Sequence, residues 1–169
     1  AGWYPGDDRP VWELDPDRFR AVIDRNLTVA FTTARSFLRH ASTTGRGSLV
    51  FTSSTAGEFG EAGHADYAAA KAALSYGFLL SLKNEAARIG DGVRVNAVAP
   101  GWTVTPRRAE AAIDADHVER ATSTMARKQL AMPEDVASQV VVLASDVASA
   151  HLTGQVVTVA GGMEGRIVP

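Results

Sequence analysis

The sequence predicts an α/β protein with a parallel sheet, from the order of its apolar and helical segments and from its length. Short apolar runs bounded by glycine or proline alternate with long segments of helical periodicity, in the order helix, strand, helix, strand, helix, strand. Strands that alternate with long helices are typical of βαβ units, in which the strands run parallel. The chain has 169 residues, enough for one packed core, and we treat residues 1–169 as a single domain.

The composition is that of an ordinary globular domain, and it narrows the possible functions. Apolar residues make up 46%, charged residues 21%, and the net charge is −2, so the basic field that would attract nucleic acid or an anionic membrane is lacking. There is no cysteine, and the four histidines are scattered without ligand spacing. We therefore predict no metal site, no nucleic-acid partner and no membrane partner. The cysteine-free chain is compatible with a cytoplasmic location.

The first half of the chain predicts a loop, a helix, a strand and a second long helix. Residues 1–14 are rich in glycine and proline and predict a loop. Asp15 and Pro16 predict the N-cap and first turn of a helix that extends to about residue 40 and contains Asn26 among apolar neighbours. The apolar run at 48–52 predicts a strand buried on both faces.

The second long helix follows a glycine-containing loop at 55–64. Asp66 predicts its N-cap, and its apolar periodicity continues to about residue 89. A second strand is predicted at 93–99 and a third at 155–159. Between them, residues 133–145 predict another helix, and the charged segment 102–131 predicts a mobile helical insertion that serves as a substrate lid.

One stretch carries residues that suit proton transfer. Tyr67 and Lys71 are four residues apart in a predicted helix, so both side chains lie on one face. An ammonium near a phenol favours the phenolate and lowers the pKa of the phenol. Ser54 follows the predicted strand at 48–52 and could bring a hydroxyl to this pair. Such a group suits proton exchange with an alcohol or carbonyl oxygen.

The order of these motifs resembles the C-terminal two thirds of the short-chain dehydrogenase/reductase family. The matching positions are, in chain order, Asn26-Leu27, Ser54, Tyr67, Lys71, Asn96 through Gly101, Thr105, Pro133 through Ala137, and Leu152 through Gly162. The resemblance covers almost the whole chain. It implies a Rossmann-like parallel sheet with flanking helices that lacks its first strands.

The resemblance also implies a mechanism. Tyr67 would be the general acid/base, Lys71 would lower the pKa of its phenol and bind the nicotinamide ribose, and Ser54 would hold the substrate oxygen. Asn26 would anchor, through its backbone, a water that links Lys71 to solvent. The implied reaction is hydride transfer between NAD or NADP and a secondary alcohol or ketone.

Further cofactor contacts are implied near the end of the second strand. Pro100 and Gly101 would let the backbone approach the nicotinamide closely. Thr103 and Thr105 could hydrogen-bond the carboxamide or the phosphates. Tyr67 and Lys71 are also expected to bind the cofactor.

The chain departs from the family pattern in its nucleotide-binding turn. Gly45 and Gly47 precede a predicted strand, whereas a phosphate-binding turn follows one and opens a helix. Ala1-Gly2 resembles the end of the family's Asn-Asn-Ala-Gly segment, so the first βαβ units and the fourth strand are expected upstream of it. Ala160 stands where many members carry Asp.

Two alternatives remain open at this point. The chain could be an inactive or partner-dependent fragment that does not bind dinucleotide alone, as the missing turn suggests. It could also be a cofactor-free relative of the halohydrin dehalogenase type, although those enzymes use Arg at the position of Lys71. In the family, the helices at 15–40 and 66–89 form the common dimer interface, so a homodimer or homotetramer through these helices is expected.

Overall fold

A three-stranded parallel sheet forms the centre of the computed structural model, which describes residues 2–105 and 115–164. The strands are β1 (Arg46–Thr52), β2 (Gly92–Pro100) and β3 (Val156–Val159), in the spatial order β1-β2-β3. In the β1–β2 register Arg46 is opposite Gly92, and in the β2–β3 register Ala97 is opposite Val156. The predicted parallel α/β fold is therefore confirmed.

Helices precede β1 and lie between consecutive strands in the described chain. They are α1 (Pro16–Ile23), α2 (Val29–Thr44), α3 (Ala56–Phe59), α4 (Ala65–Ala72), α5 (Leu79–Ala86), α6 (Ala115–Thr122) and α7 (Pro133–Ala144), and a 3-10 turn spans Val11–Glu13. π-helical stretches at Asp24–Thr28 and Ala73–Phe78 join α1 to α2 and α4 to α5. The two long predicted helices are thus present, each with a π-helical stretch inside it.

The ends of the first long helix follow from local chemistry. The carboxylate of Asp15 accepts the backbone N–H of Asp17 at 2.7 Å, which confirms the predicted N-cap. The helix continues four residues past the predicted end, to Thr44. It ends at Gly45, whose φ of 70° allows its N–H to donate to the carbonyl of Ala41.

The predicted N-cap of the second long helix is wrong. Helix α4 begins at Ala65, and His64 occupies the N-cap position without a side-chain capping bond. Asp66 is the second helical residue, and its carboxylate accepts the N–H of Tyr67 at 2.8 Å. The carboxylate is turned inward because it also pairs with Arg18 on α1. The helical run ends at Ala86 rather than near residue 89, and the loop predicted at 55–64 contains the short helix α3.

Helices cover both faces of the sheet. On one face Phe51, Val93, Val95 and Ala97 pack against a buried apolar cluster from α2, α5 and the second π-helical stretch. On the other face the buried Arg94 donates to the carbonyls of Leu143 and Ala144 at the C-terminal end of α7. This two-sided cover is typical of parallel sheets.

Burial differs between the strands in a way that the sequence did not predict. Residues 93–99 of β2 are all buried, whereas in β1 only Phe51 is fully buried. The predicted burial of 48–52 on both faces is therefore wrong for the described chain. The physical reason is that β1 has one described neighbour, β2, and so forms an edge of the described sheet.

The last two elements match their predicted positions closely. Pro133 is the first residue of α7, and the carboxylate of Asp135 accepts the N–H of Met132 at 2.7 Å. Helix α7 ends one residue before the predicted 145, and β3 begins one residue after the predicted 155. None of the helices described for 2–105 and 115–164 combines the length and apolar character needed to cross a bilayer.

Candidate active site

The residues predicted to form a site lie at the C-terminal ends of β1 and β2 and on α4. Ser54 is two residues beyond β1, and Gly101 is one residue beyond β2. Backbone bonds extend the pairing of the two strand ends, because Ser53 donates to the carbonyl of Val98 and Thr55 donates to that of Pro100. Ligands of open α/β sheets bind beside these carboxyl ends.

Tyr67 and Lys71 approach each other on one face of α4. The Nζ of Lys71 lies 5.5 Å from the centre of the Tyr67 ring. The edge-to-face contact between the rings of Tyr4 and Tyr67, with centres 5.1 Å apart, adds a second neighbour to the phenol ring. The arrangement places a cation and an aromatic neighbour directly against the phenol.

Lys71 is almost fully buried, with 2% of its surface exposed. Its Nζ donates to the carbonyl of Thr52, the last residue of β1, at 2.9 Å. Burial disfavours the charged amine and lowers the pKa of Lys71 from 10.5 to about 8. At pH 7 most of the molecules still carry the ammonium, so the cation predicted beside Tyr67 is retained.

Asn26 is buried in the first π-helical stretch, so it does not point to solvent. Its side chain accepts the N–H of Trp3 at 3.1 Å and donates to the carbonyls of Trp3 and Val22. This fixes the N-terminal segment beside Lys71. A Cβ added at Gly2 would overlap Asn26 and lie 2.6 Å from the Lys71 Nζ, so only glycine fits there.

Ser54 and Ser53 have different local roles. The Oγ of Ser54 accepts the N–H of Ala56 at 3.2 Å, a contact that does not use the hydroxyl proton. The Oγ of Ser53 donates to the carbonyl of Lys71 at 3.0 Å and lies 2.6 Å from the Oγ of Ser75. Ser53 therefore ties the end of β1 to the helix that carries Tyr67 and Lys71.

Gly101 allows the end of β2 to pack closely against the segment after β3. Its N–H donates to the carbonyl of Val159 at 3.0 Å. A Cβ at Gly101 would lie 2.8 Å from the Cβ of Ala160, so a larger residue at either position would force the two segments apart. Pro100 ends β2, and its carbonyl is held by Thr55, as described above.

The two predicted cofactor threonines lie in the turn after Gly101. The hydroxyl of Thr103 donates to the carbonyl of Gly101 at 3.1 Å, which is a local turn contact. Thr105 is exposed, and its N–H donates to the carbonyl of Thr103. The structure thus places Thr103 beside Gly101 and Thr105 farther out in the turn.

The segment predicted as a lid begins and ends at one point of the fold. Ala131 donates to the carbonyl of Trp102 at 3.0 Å, and Val104 donates to that of Ala131 at 2.8 Å. Met125 is buried, and the N–H of Arg127 donates to the carbonyl of Gly161. Residues 106–114 of the predicted lid lie outside the described residues.

Several neighbours of the site were missed by reasoning from sequence. Arg18 and Asp66 form an ion pair beside Tyr67, with Nε and Oδ2 3.0 Å apart. Tyr4 donates to Glu61 at 2.8 Å and stacks on His64 with ring centres 4.5 Å apart. A possible signal was the concentration of charged and aromatic residues in the predicted loop 1–14, but loop composition does not reveal a distant partner.

The described residues fit the nicotinamide end of a dinucleotide. The Lys71 ammonium has three N–H donors and one hydrogen bond to Thr52, so it has donor capacity for ribose hydroxyls. It lies on the same helix face as Tyr67, with its Nζ 5.5 Å from the centre of the phenol ring. Gly45 directly precedes β1 and Gly47 is its second residue, so neither glycine follows a strand and opens a helix, as a phosphate-binding turn requires.

Comparison with known proteins gives the family of the chain. A family model described as Enoyl-(Acyl carrier protein) reductase matches residues 1–164. The cis-4-hydroxycyclohexanecarboxylate dehydrogenase of Sinomonas cyclohexanicum is 39% identical over 157 residues, which are 90% of this chain and 59% of that protein.

Solved structures show the same relationship. The 3-oxoacyl-[acyl-carrier protein] reductase of Brucella melitensis has a TM-score of 0.87 at 35% identity, over 96% of this chain and 60% of that one. A gluconate 5-dehydrogenase-like protein from Beutenbergia cavernae, solved with NADP, has a TM-score of 0.85 at 35% identity, over 96% of this chain and 63% of that one. A further Brucella melitensis reductase structure contains NAD.

The chain spans about three fifths of the length of these relatives. Within that span, the order of strands and helices follows the pattern that the sequence predicted. From the family match and these likenesses, the chain belongs to the short-chain dehydrogenase/reductase family of NAD(P)-dependent oxidoreductases.

Proposed function

We propose that this chain carries the catalytic part of an oxidoreductase that transfers hydride between NAD or NADP and a secondary alcohol or ketone. The observation that carries the proposal is the Tyr67–Lys71 pair, with a buried ammonium 5.5 Å from the centre of the phenol ring at the end of β1. Ser54 follows the same strand end. The relatives, which include a hydroxycyclohexanecarboxylate dehydrogenase and a 3-oxoacyl-[acyl-carrier protein] reductase, support an alcohol or ketone substrate.

In this proposal the bound nicotinamide supplies or accepts the hydride, and the chain handles the proton. Tyr67 donates a proton to the carbonyl oxygen in reduction and removes it from the alcohol in oxidation. The Ser54 hydroxyl donates a hydrogen bond to the same oxygen as negative charge develops on it. The Lys71 ammonium favours the phenolate and binds the nicotinamide ribose.

Asn26 has a supporting place in this scheme. Its side chain holds Trp3 and therefore the glycine that packs against Lys71. The π-helical stretch around Asn26 changes the direction of backbone carbonyls, and such stretches are frequent at functional sites. We include a water held by the Asn26 backbone, linking Lys71 to solvent, as part of the proposal.

The cofactor contacts at the end of β2 are also part of the proposal. The close packing of Gly101 on Ala160 leaves backbone rather than side chain beside Pro100, which favours close approach of a flat ring. Thr103 and Thr105 lie in the next turn, where their hydroxyls could bind the carboxamide or a phosphate. The segment 102–131, whose two ends meet at Trp102 and Ala131, would close over the substrate.

The experiment that tests the function is a nicotinamide absorbance assay with a panel of ketones. The chain is assayed together with any sequence that its gene encodes upstream of Ala1. We expect Tyr67→Phe to lower kcat by about 100-fold or more, because general acid catalysis contributes that much, and Ser54→Ala to lower it by about 100-fold. The matched control is Tyr76→Phe, a half-exposed tyrosine of the same helical run. Equal rates for Tyr67→Phe and Tyr76→Phe would contradict the proposal.

A second candidate function is that of an inactive or partner-dependent fragment, which needs additional sequence or a partner to bind the dinucleotide. The observation that favours it is the half-exposed apolar strand β1, at an edge of the described sheet. We expect weak or no NAD(P)H binding by residues 1–169 alone in a fluorescence titration. Tight binding by protein of verified intact mass would exclude this candidate. Lys71 disfavours the halohydrin dehalogenase alternative, which uses Arg there.

The partner in solution is proposed to be a second copy of the chain. The two long helical runs, Pro16 to Thr44 and Ala65 to Ala86, present a groove lined by Phe31, Arg35, Leu38, Phe78, Leu82 and Glu85. The groove holds both a basic and an acidic side chain at its rim, which suits a symmetric contact between identical faces. A homodimer, or a homotetramer built from it, is the expected assembly, and a cytoplasmic location stays a prediction from composition.

A further inference from the structure

A buried carboxylate lies directly before Tyr67 and has no part in the proposed proton transfer. Asp66 has no exposed surface. Its Oδ1 accepts the N–H of Tyr67 at 2.8 Å, and its Oδ2 accepts the Nε of Arg18 at 3.0 Å. Burying a carboxylate is costly unless it is paired and hydrogen-bonded, and both conditions are met here.

Arg18 reaches this carboxylate from another helix. It lies on α1, 48 positions before Asp66, and its side chain is only 15% exposed. Its Nη1 is 3.1 Å from Asp7, whose side chain is 61% exposed. Neither Nη1 nor Nη2 of Arg18 makes a hydrogen bond within the described part of the chain. The guanidinium is therefore held to Asp66 by a charged hydrogen bond from Nε, and to Asp7 by charge alone.

We propose that Arg18 and Asp66 are positioning residues for Tyr67: Asp66 fixes the backbone of the first turn of α4, and Arg18 offsets the negative charge that Asp66 places at the backbone N–H of Tyr67. The inference rests on the proposed acid/base role of Tyr67. Without Arg18, a buried negative charge next to Tyr67 would oppose the formation of the phenolate. With Arg18 present, the pair is close to neutral, and the Lys71 ammonium is the charge that acts on the ring.

Two other groups described beside the Tyr67 ring, an ammonium and an aromatic ring, carry no negative charge. Lys71 approaches the ring from the same helix, and Tyr4 approaches it from the N-terminal segment. The Tyr4 hydroxyl donates to Glu61 and lies 3.3 Å from the Nδ1 of His64, so these two groups lie behind the Tyr4 ring. His64 is in turn 3.1 Å from Asp8, which is 82% exposed. Ser54, which follows β1, carries no charge.

The titration of Tyr67 can be measured without cofactor, substrate or activity. The chain has three tyrosines, so the ring carbons bonded to oxygen give three resonances after labelling with carbon-13. Tyr67→Phe assigns the Tyr67 signal, and the chain is then titrated with alkali. We expect Arg18→Met to raise the titration midpoint of Tyr67 and Asp66→Asn to lower it, each by roughly half to one pH unit.

Opposite shifts distinguish charge compensation from a merely structural role, in which both variants would loosen the helix and shift the midpoint in the same direction. Arg18→Met can also be made in the Asp66→Asn background, where no unpaired carboxylate remains, and the midpoint should then rise again. This comparison in the Asp66→Asn background tests the inference if Arg18→Met alone does not fold. The control is Arg20→Met, which breaks an exposed pair with Asp17 on the same helix and should not move the Tyr67 signal.

Shifts in the same direction, no shift, or a phenol that stays protonated in every variant until the chain unfolds would overturn the inference. The result of this titration can be distinguished from the result of the activity assay that tests the proposed function. Opposite shifts in a chain without hydride transfer would support the ion pair and contradict the function, and active enzyme without the shifts would do the reverse.

Discussion

Lys71 is the residue whose chemistry the fold changes most. An exposed lysine keeps its charge well above pH 9, whereas burial lowers the pKa of Lys71 to about 8. The hydrogen bond to the Thr52 carbonyl holds the amine at the end of β1. The ammonium is thus placed against the Tyr67 ring at neutral pH, and it is lost in mildly alkaline solution.

The first prediction concerns stability at the residue scale. Because the folded-state pKa of Lys71 lies below 10.5, the unfolded chain binds more protons between about pH 8 and pH 10.5. The cost of burying the ammonium is fully present below pH 8 and is relieved as the pH rises through this window. The free energy of unfolding of the wild type, relative to Lys71→Met, should rise there by about 3 kcal/mol.

Urea denaturation of both proteins at several pH values between 7 and 10.5 measures this difference. The free energy of unfolding of the wild type should rise with pH relative to that of Lys71→Met. The variant also leaves the Thr52 carbonyl without its donor, but this loss does not depend on pH. A difference that stays constant across the window would show that Lys71 does not carry a lowered pKa.

At this scale, sequence reasoning could predict contacts within one helix but not contacts across the fold. The approach of Tyr67 and Lys71 follows from their spacing of four residues. The burial of Lys71 and its bond to Thr52 depend on how β1 lies against α4, which spacing does not determine. Asp66 was assigned a capping role because helix starts favour Asp, and its partner Arg18 lies too far away in sequence to be inferred.

At the scale of elements, α3 lies directly on the backbone of α4. A Cβ added at Gly57 would be 2.6 Å from both the backbone N of Ala72 and the carbonyl carbon of Lys71. No real side chain tolerates that separation, so either α3 or α4 would have to shift. This contact and the Ser53 hydrogen bond to Lys71 fix the loop after β1 against the helix that carries the site.

The second prediction follows from this contact. Gly57→Ala should lower the free energy of unfolding by about 1–3 kcal/mol, because overpacking a tight contact costs that much. The matched control is Gly6→Ala, where nothing lies within 4 Å of the added Cβ and the change should stay within about 0.5 kcal/mol. Denaturant unfolding measures both, and equal stabilities for the two variants would mean that α3 does not depend on this close approach.

The π-helical stretches show why part of each element could not be predicted. Asp24–Thr28 and Ala73–Phe78 fall within segments of ordinary helical periodicity, and both were predicted as plain helix. A π-helical stretch is stabilised by tertiary contacts that compensate for its poorer geometry. Here Asn26 contacts Trp3, and Ser75 contacts Ser53, the residue directly after β1. The presence of Asn26, a modest helix former, was the available hint.

At the scale of the whole molecule, the fold class and the parallel direction of the strands could be predicted because alternating apolar strands and long helices permit few arrangements. The burial of each strand could not, because it depends on what lies beside the sheet edge. The same limit applies to the groove between the two long helical runs. Periodicity identified the apolar residues, but the exposure of Phe31, 51%, is a property of the folded chain.

The third prediction concerns assembly through this groove. Phe31→Glu should convert the dimer to a monomer, because it places a charge in the apolar centre of the proposed interface. Trp12→Glu is the control, since it changes a residue that is 81% exposed outside the groove. Light scattering coupled to size-exclusion chromatography gives the mass of each, and a wild-type chain that runs as a uniform monomer would contradict the assembly.

The central claim is that Tyr67 exchanges the proton in a hydride-transfer reaction, and isotope transfer tests it most directly. The protein, with any sequence its gene encodes upstream, is supplied with a ketone and NAD(P)H that carries deuterium on the nicotinamide carbon. We predict that the deuterium moves to the carbinol carbon of the product, and that Tyr67→Phe slows this transfer by about 100-fold or more. Transfer at an unchanged rate in Tyr67→Phe, or product without deuterium in the wild type, would contradict the account.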